Sequence, residues 1–324
     1  MGVIGAAGFI GSHLCERLVA SDHHVVGVDD LSSGSVANLA AVLGDEWFQL
    51  KTTDCRDPEL PEVLAGVDVI VHLAARKIPR YGCRLETLSS NVEVTAAVSS
   101  AAVAAKAHVV FVSTSDVYGN TSSPMSETSP SVLGSSRSAR WAYAISKLYG
   151  EHLVLGLAEK GSIRATVVRL FGCYGPRNHP SWWGGVPSAF IEALLDGDAM
   201  DIHGDGEQVR SLIYVDDAVE AIFRIIHRAA GTAEIVNVGH EEPISIVELA
   251  KIVQAALEIE GPLRARFVPY RSLPGNYEDV RVRVPDLAKA RTLLGFQANT
   301  SLVQGLAPTI EWHRQRRQAA EVCV

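Results

Sequence analysis

The chain has 324 residues, enough for more than one ordinary domain and too few for three. Apolar residues make up 47% and charged residues 20%, which supports a normal buried core. The formal net charge of −8 argues against general nucleic-acid binding, which needs phosphate neutralised by Lys and Arg, and it requires that an anionic substrate be held by a local cluster of cations.

The five cysteines (Cys15, Cys55, Cys83, Cys173, Cys323) are odd in number and scattered, with no CxxC or Cys/His metal spacing. Reduced thiols and no metal are expected. No leader and no apolar run long enough to span a bilayer stands out, so the expectation is a cytoplasmic protein with no membrane partner.

The first half alternates short β-branched runs with helical patterns. Residues 3–5 end a strand, necessarily a short one because only four residues precede Gly5, and a helix follows over 9–21. Strands are predicted over 24–30, 47–54 and 67–75, a long Ala/Val-rich helix over 86–105, a strand over 108–116, a helix over 140–159 and a strand over 163–171. Runs apolar on both faces and separated by helices indicate a parallel sheet covered on both sides. Beyond residue 172 the elements are shorter: helix 187–196, strand 211–215, helix 216–228, strand 234–238, helix 245–257, strand 265–270 and C-terminal helices. The fold class is therefore α/β: a Rossmann doubly wound parallel sheet over 1–171 and a second, smaller α/β substrate lobe over 172–324, with some segments interleaved.

GAAGFIG places Gly5, Gly8 and Gly11 at GxxGxxG spacing between that first strand and helix. Bare backbone there permits a tight turn and lets a pyrophosphate approach the positive helix N-terminus, where Phe9 and Ile10 are the next candidate contacts. Asp29 ends the second strand 24 residues after Gly5. A carboxylate there accepts from ribose hydroxyls and repels a 2′-phosphate, which favours NAD over NADP.

Tyr143 and Lys147 form Y-x-x-x-K on one face of a helix. A tyrosine base near neutral pH must lose about three units from a pKa of about 10, roughly 4 kcal/mol, and a nearby ammonium and a nicotinamide cation would supply it. The strand 108–116 ends in Ser113, Thr114, Ser115 and Asp116. Ligands of open α/β sheets bind at such carboxyl ends, where Thr114 and Ser115 can hydrogen-bond a sugar hydroxyl and Asp116 can act as acid or base.

Together GAAGFIGSHL, VDDLSSG, VHLAA, STSDVYG, YAISK, VVRLFGCYGPR, GDGEQVRSLIYVDD and PDLAKARTLLGF resemble, in order, the extended short-chain dehydrogenase/reductase family in its nucleotide-sugar epimerase/dehydratase/decarboxylase branch. The resemblance implies that Tyr143 is the base at carbon 4 of the sugar, with Lys147 holding the ribose and Thr114 sharing the carbon-4 proton. It places Asp54 at the adenine, Leu73, Ala74 and Ala75 along the cofactor, and Arg177 and Arg210 at the diphosphate of a substrate, with a UDP-sugar favoured. Arg283, two residues before Pro285, resembles the arginine that hexuronate decarboxylases set near the substrate carboxylate, and R-W-A-Y before the helix resembles the same branch. The basic stretch 76–82 places Arg76, Lys77 and Arg80 toward nicotinamide and sugar, and Trp182 and Trp183 are candidates for a pocket wall.

Three departures stand out. Asp116 takes a position usually held by Glu, Gly172 replaces a frequent Asn, and Ser211 replaces a frequent Asp. The leading expectation is UDP-hexuronate decarboxylation or sugar dehydration through a 4-keto intermediate, with 4-epimerisation as the alternative. A non-catalytic NAD-binding sensor is the reading from another class. A homodimer through helices 86–105 and 140–158 is expected from the family and from the small residues of the first.

Overall fold

A computed structural model of the chain describes residues 1–77, 83–182, 184–228, 233–274 and 277–322. The first half runs β1 (Gly2–Ile4), α1 (Phe9–Val19), β2 (Val25–Asp29), β3 (Phe48–Thr52), a one-turn α2 (Leu60–Val63), β4 (Val69–His72), α3 (Arg84–Ala105), β5 (His108–Thr114), α4 (Trp141–Glu159) and β6 (Arg164–Leu170). The second runs β7 (Gly172–Tyr174), α5 (Val186–Leu195), β8 (Met200–His203), β9 (Val209–Tyr214), α6 (Val215–Arg228), β10 (Glu234–Val238), β11 (Pro243–Ser245), α7 (Ile246–Ala256), β12 (Ala265–Val268), β13 (Val282–Arg283), α8 (Ala288–Leu294) and α9 (Leu302–Val322).

Seven strands form one parallel sheet in the order β3-β2-β1-β4-β5-β6-β10. The order reverses between β1 and β4, the switch point at which such sheets open a ligand crevice. The seventh strand comes from the second half of the chain: Glu234–Val238 pairs in parallel with Thr166–Leu170. Strand β5 shows why the central runs are apolar throughout. Val109 and Phe111 enter one core and Val110 and Val112 the other, so both faces are covered. A third cluster of Tyr118, Met125, Trp141, Phe171 and Val280 lies beside the end of β5.

The remaining strands form smaller sheets. β9 carries β11 on one side and β13 and β7 as further partners, while β12 pairs with β8. The strands β7, β8, β11 and β13 were not expected from sequence; each spans four residues or fewer, too short for an alternation to show. Helix α6 is strongly amphipathic, burying Val219, Ile222, Ile225 and Ile226, with Asp216 and Asp217 in its first turn and His227 and Arg228 in its last, the charge order its dipole favours. Ser245 caps α7 by accepting from Glu248 N.

Two histidines lie inside the central sheet. His72 on β4 bonds Thr95 Oγ1 at 3.2 Å and His108 on β5 bonds Thr166 Oγ1 at 2.9 Å. Burial, reinforced by Lys147, lowers His72 to about 3, and burial with Arg164 lowers His108 to about 4. Below the unfolded value of 6.5 the unfolded chain takes up protons that the folded one refuses, so stability declines as pH falls from there toward 4 and 3. The urea midpoint should be lower at pH 5 than at pH 7. A His72→Asn/His108→Gln variant should lose part of that difference; a pH dependence unchanged in the variant would remove these two histidines as its source.

Candidate active site

At the switch point the backbone is packed too tightly for side chains. A Cβ on Gly11 would lie 2.0 Å from Gly5 O, and one on Gly5, whose φ is +86°, would lie 2.9 Å from Ala74 N. The loop after β4 is drawn in by bonds from Leu73 N and Ala74 N to Ile4 O. Gly8 is the N-cap of α1 and no side chain caps it, which leaves the helix N-terminus available to an anion. Asp29 stands beside this loop. Its Oδ2 accepts from Ala7 N and its Oδ1 from Leu31 N, both at 2.9 Å. Burial pushes its carboxyl above the ordinary value against those two N–H groups, and each oxygen keeps a lone pair for a ribose hydroxyl. Bare glycine backbone, an uncapped helix and a carboxylate at the end of β2 fit NAD.

Thr114 ends β5 and accepts from Asp116 N; Ser115, buried, and Asp116 belong to a 3-10 turn, not to the strand itself. Helix α4 lies close against β5 because residue 150 is glycine: a Cβ there would meet Phe111 Cζ at 2.4 Å. That approach carries Lys147 to the sheet, where Nζ donates to Val112 O at 2.8 Å and lies 4.8 Å from the Phe111 ring centre. Burial lowers Lys147 to about 7, opposed by Glu151. Burial and then the Asp116 carboxylate push the Tyr143 phenol above its ordinary value, while a hydrogen bond with Thr114 pulls it back. The phenol is therefore neutral at rest, and positive charge beside it is what would make it a base.

Two supports for this pair had no sequence signal. Glu151 accepts from Ser113 Oγ at 2.5 Å and pairs with Arg169 at 2.7 Å, joining α4 to β5 and β6. Asn91 on α3 binds Arg76 N and O and donates to Ser146 Oγ, which donates to Tyr143 O. Both are long-range contacts made by residue types that are ordinary on helices.

Asp116 opens a chain of alternating charges. Its Oδ1 meets Arg283 Nη1 at 2.8 Å and Arg140 Nη2 at 3.2 Å; Asp279 then meets Arg140 Nη1 at 2.5 Å and Arg210 Nη2 at 2.8 Å. Burial opposes ionisation of Asp116, but Arg283 and Arg140 win and hold it below the usual carboxylate range; Arg210 and Arg140 do the same for Asp279. Burial lowers Arg283 to about 10 against the pull of Asp116. Arg140 lies in the R-W-A-Y motif, while nothing in the sequence singled out Asp279.

The other expected residues fall in different places. Lys77 is exposed, yet it stands in the same cleft, where desolvation lowers its ammonium and Cys173 and Asp116 oppose that shift. Arg210 also donates to Val209 O and Val280 O, so its guanidinium is committed to the loop carrying Asp279. Arg177, at φ +65°, pairs with Glu16 at 2.7 Å and donates to Ser12 Oγ on α1, apart from the arginine cluster. Asp54 is gripped by Arg56 at 2.6 Å, which lowers its carboxyl. Ala75 is exposed beside the half-buried Leu73 and Ala74. Trp182 stacks on His203 with ring centres 4.3 Å apart. Arg80 and Trp183 lie outside the described residues. Ser211 bonds His240 O and N, tying β9 to the turn after β10, and a side chain at Gly172 would press on Leu212 Cδ2 at 2.8 Å. Among the described residues there is no cluster of metal-ligating side chains and no helix long and apolar enough to cross a membrane.

A glycine-lined crevice at the switch point of a parallel sheet, next to a Tyr/Lys pair on α4, defines a dinucleotide-dependent enzyme of the Rossmann class. Residues 1–239 match the NAD dependent epimerase/dehydratase family, and the chain belongs to it. It is 35% identical to a UDP-N-acetyl-alpha-D-glucosaminuronate decarboxylase of Bacillus cytotoxicus over 97% of both chains. It is 34% identical to a UDP-glucose 4-epimerase of Mycolicibacterium smegmatis over 98% of this chain and 99% of that one. The solved structure of MoeE5 in complex with UDP-glucuronic acid and NAD superposes with a TM-score of 0.82 at 31% identity, covering 97% of this chain and 99% of that one. The protein is an NAD-dependent enzyme that modifies nucleotide sugars, and the sensor reading falls away.

Replacing Tyr143 by Phe removes the phenol oxygen and leaves the glycine crevice intact. Turnover should fall by about a thousandfold or more while NAD stays bound to the purified protein. Rates like those of the wild type in that variant would take Tyr143 out of the chemistry.

Proposed function

We propose that the chain decarboxylates a UDP-linked hexuronate. The observation that carries this is the set of guanidinium groups gathered at the end of β5, beside Tyr143, in a chain whose net charge is −8. A neutral hexose has no use for buried arginine at that point, whereas a carbon-6 carboxylate does. The Bacillus cytotoxicus relative supports the same reading.

NAD, when bound, supplies the hydride acceptor that oxidises carbon 4 and later returns the hydride. Thr114 and Tyr143 hold the carbon-4 hydroxyl, and Tyr143 Oη takes its proton. Lys147, fixed by Val112 O, adds positive charge beneath the phenol and toward the ribose. Arg283 orients the substrate carboxylate. With carbon 4 a ketone, that carboxylate belongs to a β-keto acid, whose C5–C6 bond breaks to release carbon dioxide; the electron pair passes to the carbon-4 carbonyl as an enolate, which takes a proton from solvent at carbon 5 and so restores the ketone for the returning hydride. Asp116, one methylene shorter than the usual Glu, is held by Arg283 and Arg140 at the edge of this site. The Mycolicibacterium smegmatis relative favours a second reading, 4-epimerisation, which needs the same oxidation and a ketone that turns before it is reduced.

Incubation with NAD and UDP-glucuronate, followed by mass spectrometry and NMR of the product, should show loss of carbon dioxide. Arg283→Gln should slow that loss by about a hundredfold or more, since a buried charge partner is removed. An unchanged mass with inverted carbon 4 would replace the decarboxylase reading by the epimerase one.

The reading extends to assembly and location. Leu85 and Val103 on α3 and Ile145 and Tyr149 on α4 are large apolar side chains left exposed on two adjoining helices. Ile145 and Tyr149 are one turn apart, so they share a face. A second copy of the chain packing α3 and α4 against these helices would cover them. Light scattering at micromolar concentration should give a dimer, and Ile145→Glu/Tyr149→Glu should give a monomer; a monomeric wild type would end this assignment. Cys15, Cys55, Cys83 and Cys173 are free thiols, in keeping with the reducing cytoplasm.

A further inference from the structure

Two histidines far apart in sequence meet where two helices end. His23 lies in the turn between α1 and β2, and His227 lies in the last turn of α6. Their Nε2 atoms are 3.1 Å apart, across 204 positions of the chain. The ring centres are farther apart, at 5.1 Å, so both rings point Nε2 inward rather than stacking. His227 Nδ1 is 2.8 Å from Phe223 O. A carbonyl oxygen only accepts, so Nδ1 carries the proton of the neutral ring and Nε2 is left as a lone pair. His23 is half-buried and His227 exposed, so water and ions reach the pair.

The pair is held in place by its neighbours. The Phe223 ring lies 4.3 Å from that of His227 and has the Arg17 guanidinium over it at 3.7 Å. His23 N donates to Leu18 O, which fixes the turn. Helices α1 and α6 both end here, and their carbonyl ends bring partial negative charge to the spot. The charges around His23 are Asp22, which attracts a cation, and Arg17 and the Met1 ammonium, which repel one. Arg17 is itself paired with Glu220 at 3.3 Å, Met1 N donates to His24 O, and Arg228 is turned away to Leu294 O. Two nitrogens 3.1 Å apart, each about 2.0–2.1 Å from one zinc ion, subtend about 100° at the ion, between the square and the tetrahedral angle. The bond from His227 Nδ1 to a backbone carbonyl is the support that metal-bound histidines use.

We infer that His23 and His227 form a two-histidine site for zinc that ties the turn after α1 to the end of α6. The ion takes the place of the proton that the two Nε2 atoms otherwise share. Imidazole is a ligand that suits zinc, and neither nitrogen has to be drawn from another bond within the fold. Two protein ligands are fewer than the three or four of catalytic and structural zinc centres, so the other positions belong to water. The site stands apart from the sugar chemistry, because it lies at the C-terminal end of α1 and the glycine crevice lies at the N-terminal end. Its effect is on stability: only the folded chain brings residues 23 and 227 together, so the ion favours that state.

Titration calorimetry of the purified full chain with zinc chloride, run on the wild type, His23→Gln and His227→Gln, tests the site. The wild type should show an event that binds a single ion per chain, and each histidine variant should weaken it by about tenfold or more. Excess zinc should raise the urea midpoint of the wild type and leave the midpoints of both variants at their zinc-free values. Cys83→Ser removes an exposed thiol that could also take the metal, and it should keep both effects. Isotherms that are alike in the wild type and both histidine variants, flat or not, would overturn the inference, as would loss of the event in Cys83→Ser. A lower zinc-free midpoint in His227→Gln together with such matching isotherms would make the pair a structural hydrogen bond. None of these outcomes depends on which sugar the enzyme takes.

Discussion

Helix α4 can do its work only because nothing larger than hydrogen stands at residue 150. The Phe111 ring of β5 fills the space a Cβ would need, and the helix rests on the sheet at that point. From that contact follow the reach of Lys147 to Val112 O, the burial of Glu151 against Ser113 and Arg169, and the placement of Tyr143 over the end of β5. A helix lifted by the width of a methyl group would break a buried ion pair and leave its charges exposed to a low dielectric, which is far more costly than the lost packing. The Tyr143–Lys147 pair and the sheet are therefore one mechanical unit.

Charge is distributed over this unit with the same economy. The molecule as a whole is acidic, but three of its guanidinium groups, Arg140, Arg210 and Arg283, gather with Asp116 and Asp279 beside the end of β5. Asp116 and Asp279 hold those groups in register without satisfying them completely. Elsewhere three arginines are each paired with a carboxylate. Arg169 is locked to Glu151 in the core, Arg56 to Asp54, and Arg177 to Glu16 on the first helix.

What could be read in the sequence was whatever is encoded over a few residues. The glycines at 5, 8 and 11, the carboxylate closing β2, the Tyr143–Lys147 spacing and the both-faced apolar runs all express local geometry, and they led to the sheet, the crevice and the family. The arginine–aspartate chain is different in kind. Arg140 meets Asp279 across 139 positions and Arg283 meets Asp116 across 167, so neither contact has a periodicity or a spacing to reveal it. Arg140 was noticed only as part of a motif, and Asp279 is one acid among neighbours until the fold brings it under two guanidiniums. The positions of Arg177 and Arg210 were likewise invisible: both are cations near the right loops, and only the tertiary structure assigns each to its own carboxylate. The contribution of 234–238 to the large sheet had the same origin, since a five-residue strand does not say which sheet it will join.

That last strand has a consequence for how the polypeptide can be divided. Strand β6 would be the border of the sheet if the chain stopped near residue 171, and its outward row of N–H and C=O groups, now paired with β10, would be bare. Four of the six buried side chains of β6, Ala165, Val167, Val168 and Leu170, are apolar, so a bare border there would be a template for other chains. The large sheet is thus stitched shut by a thread from late in the chain, and a fragment that ended before Glu234 would leave β6 as its unpaired border.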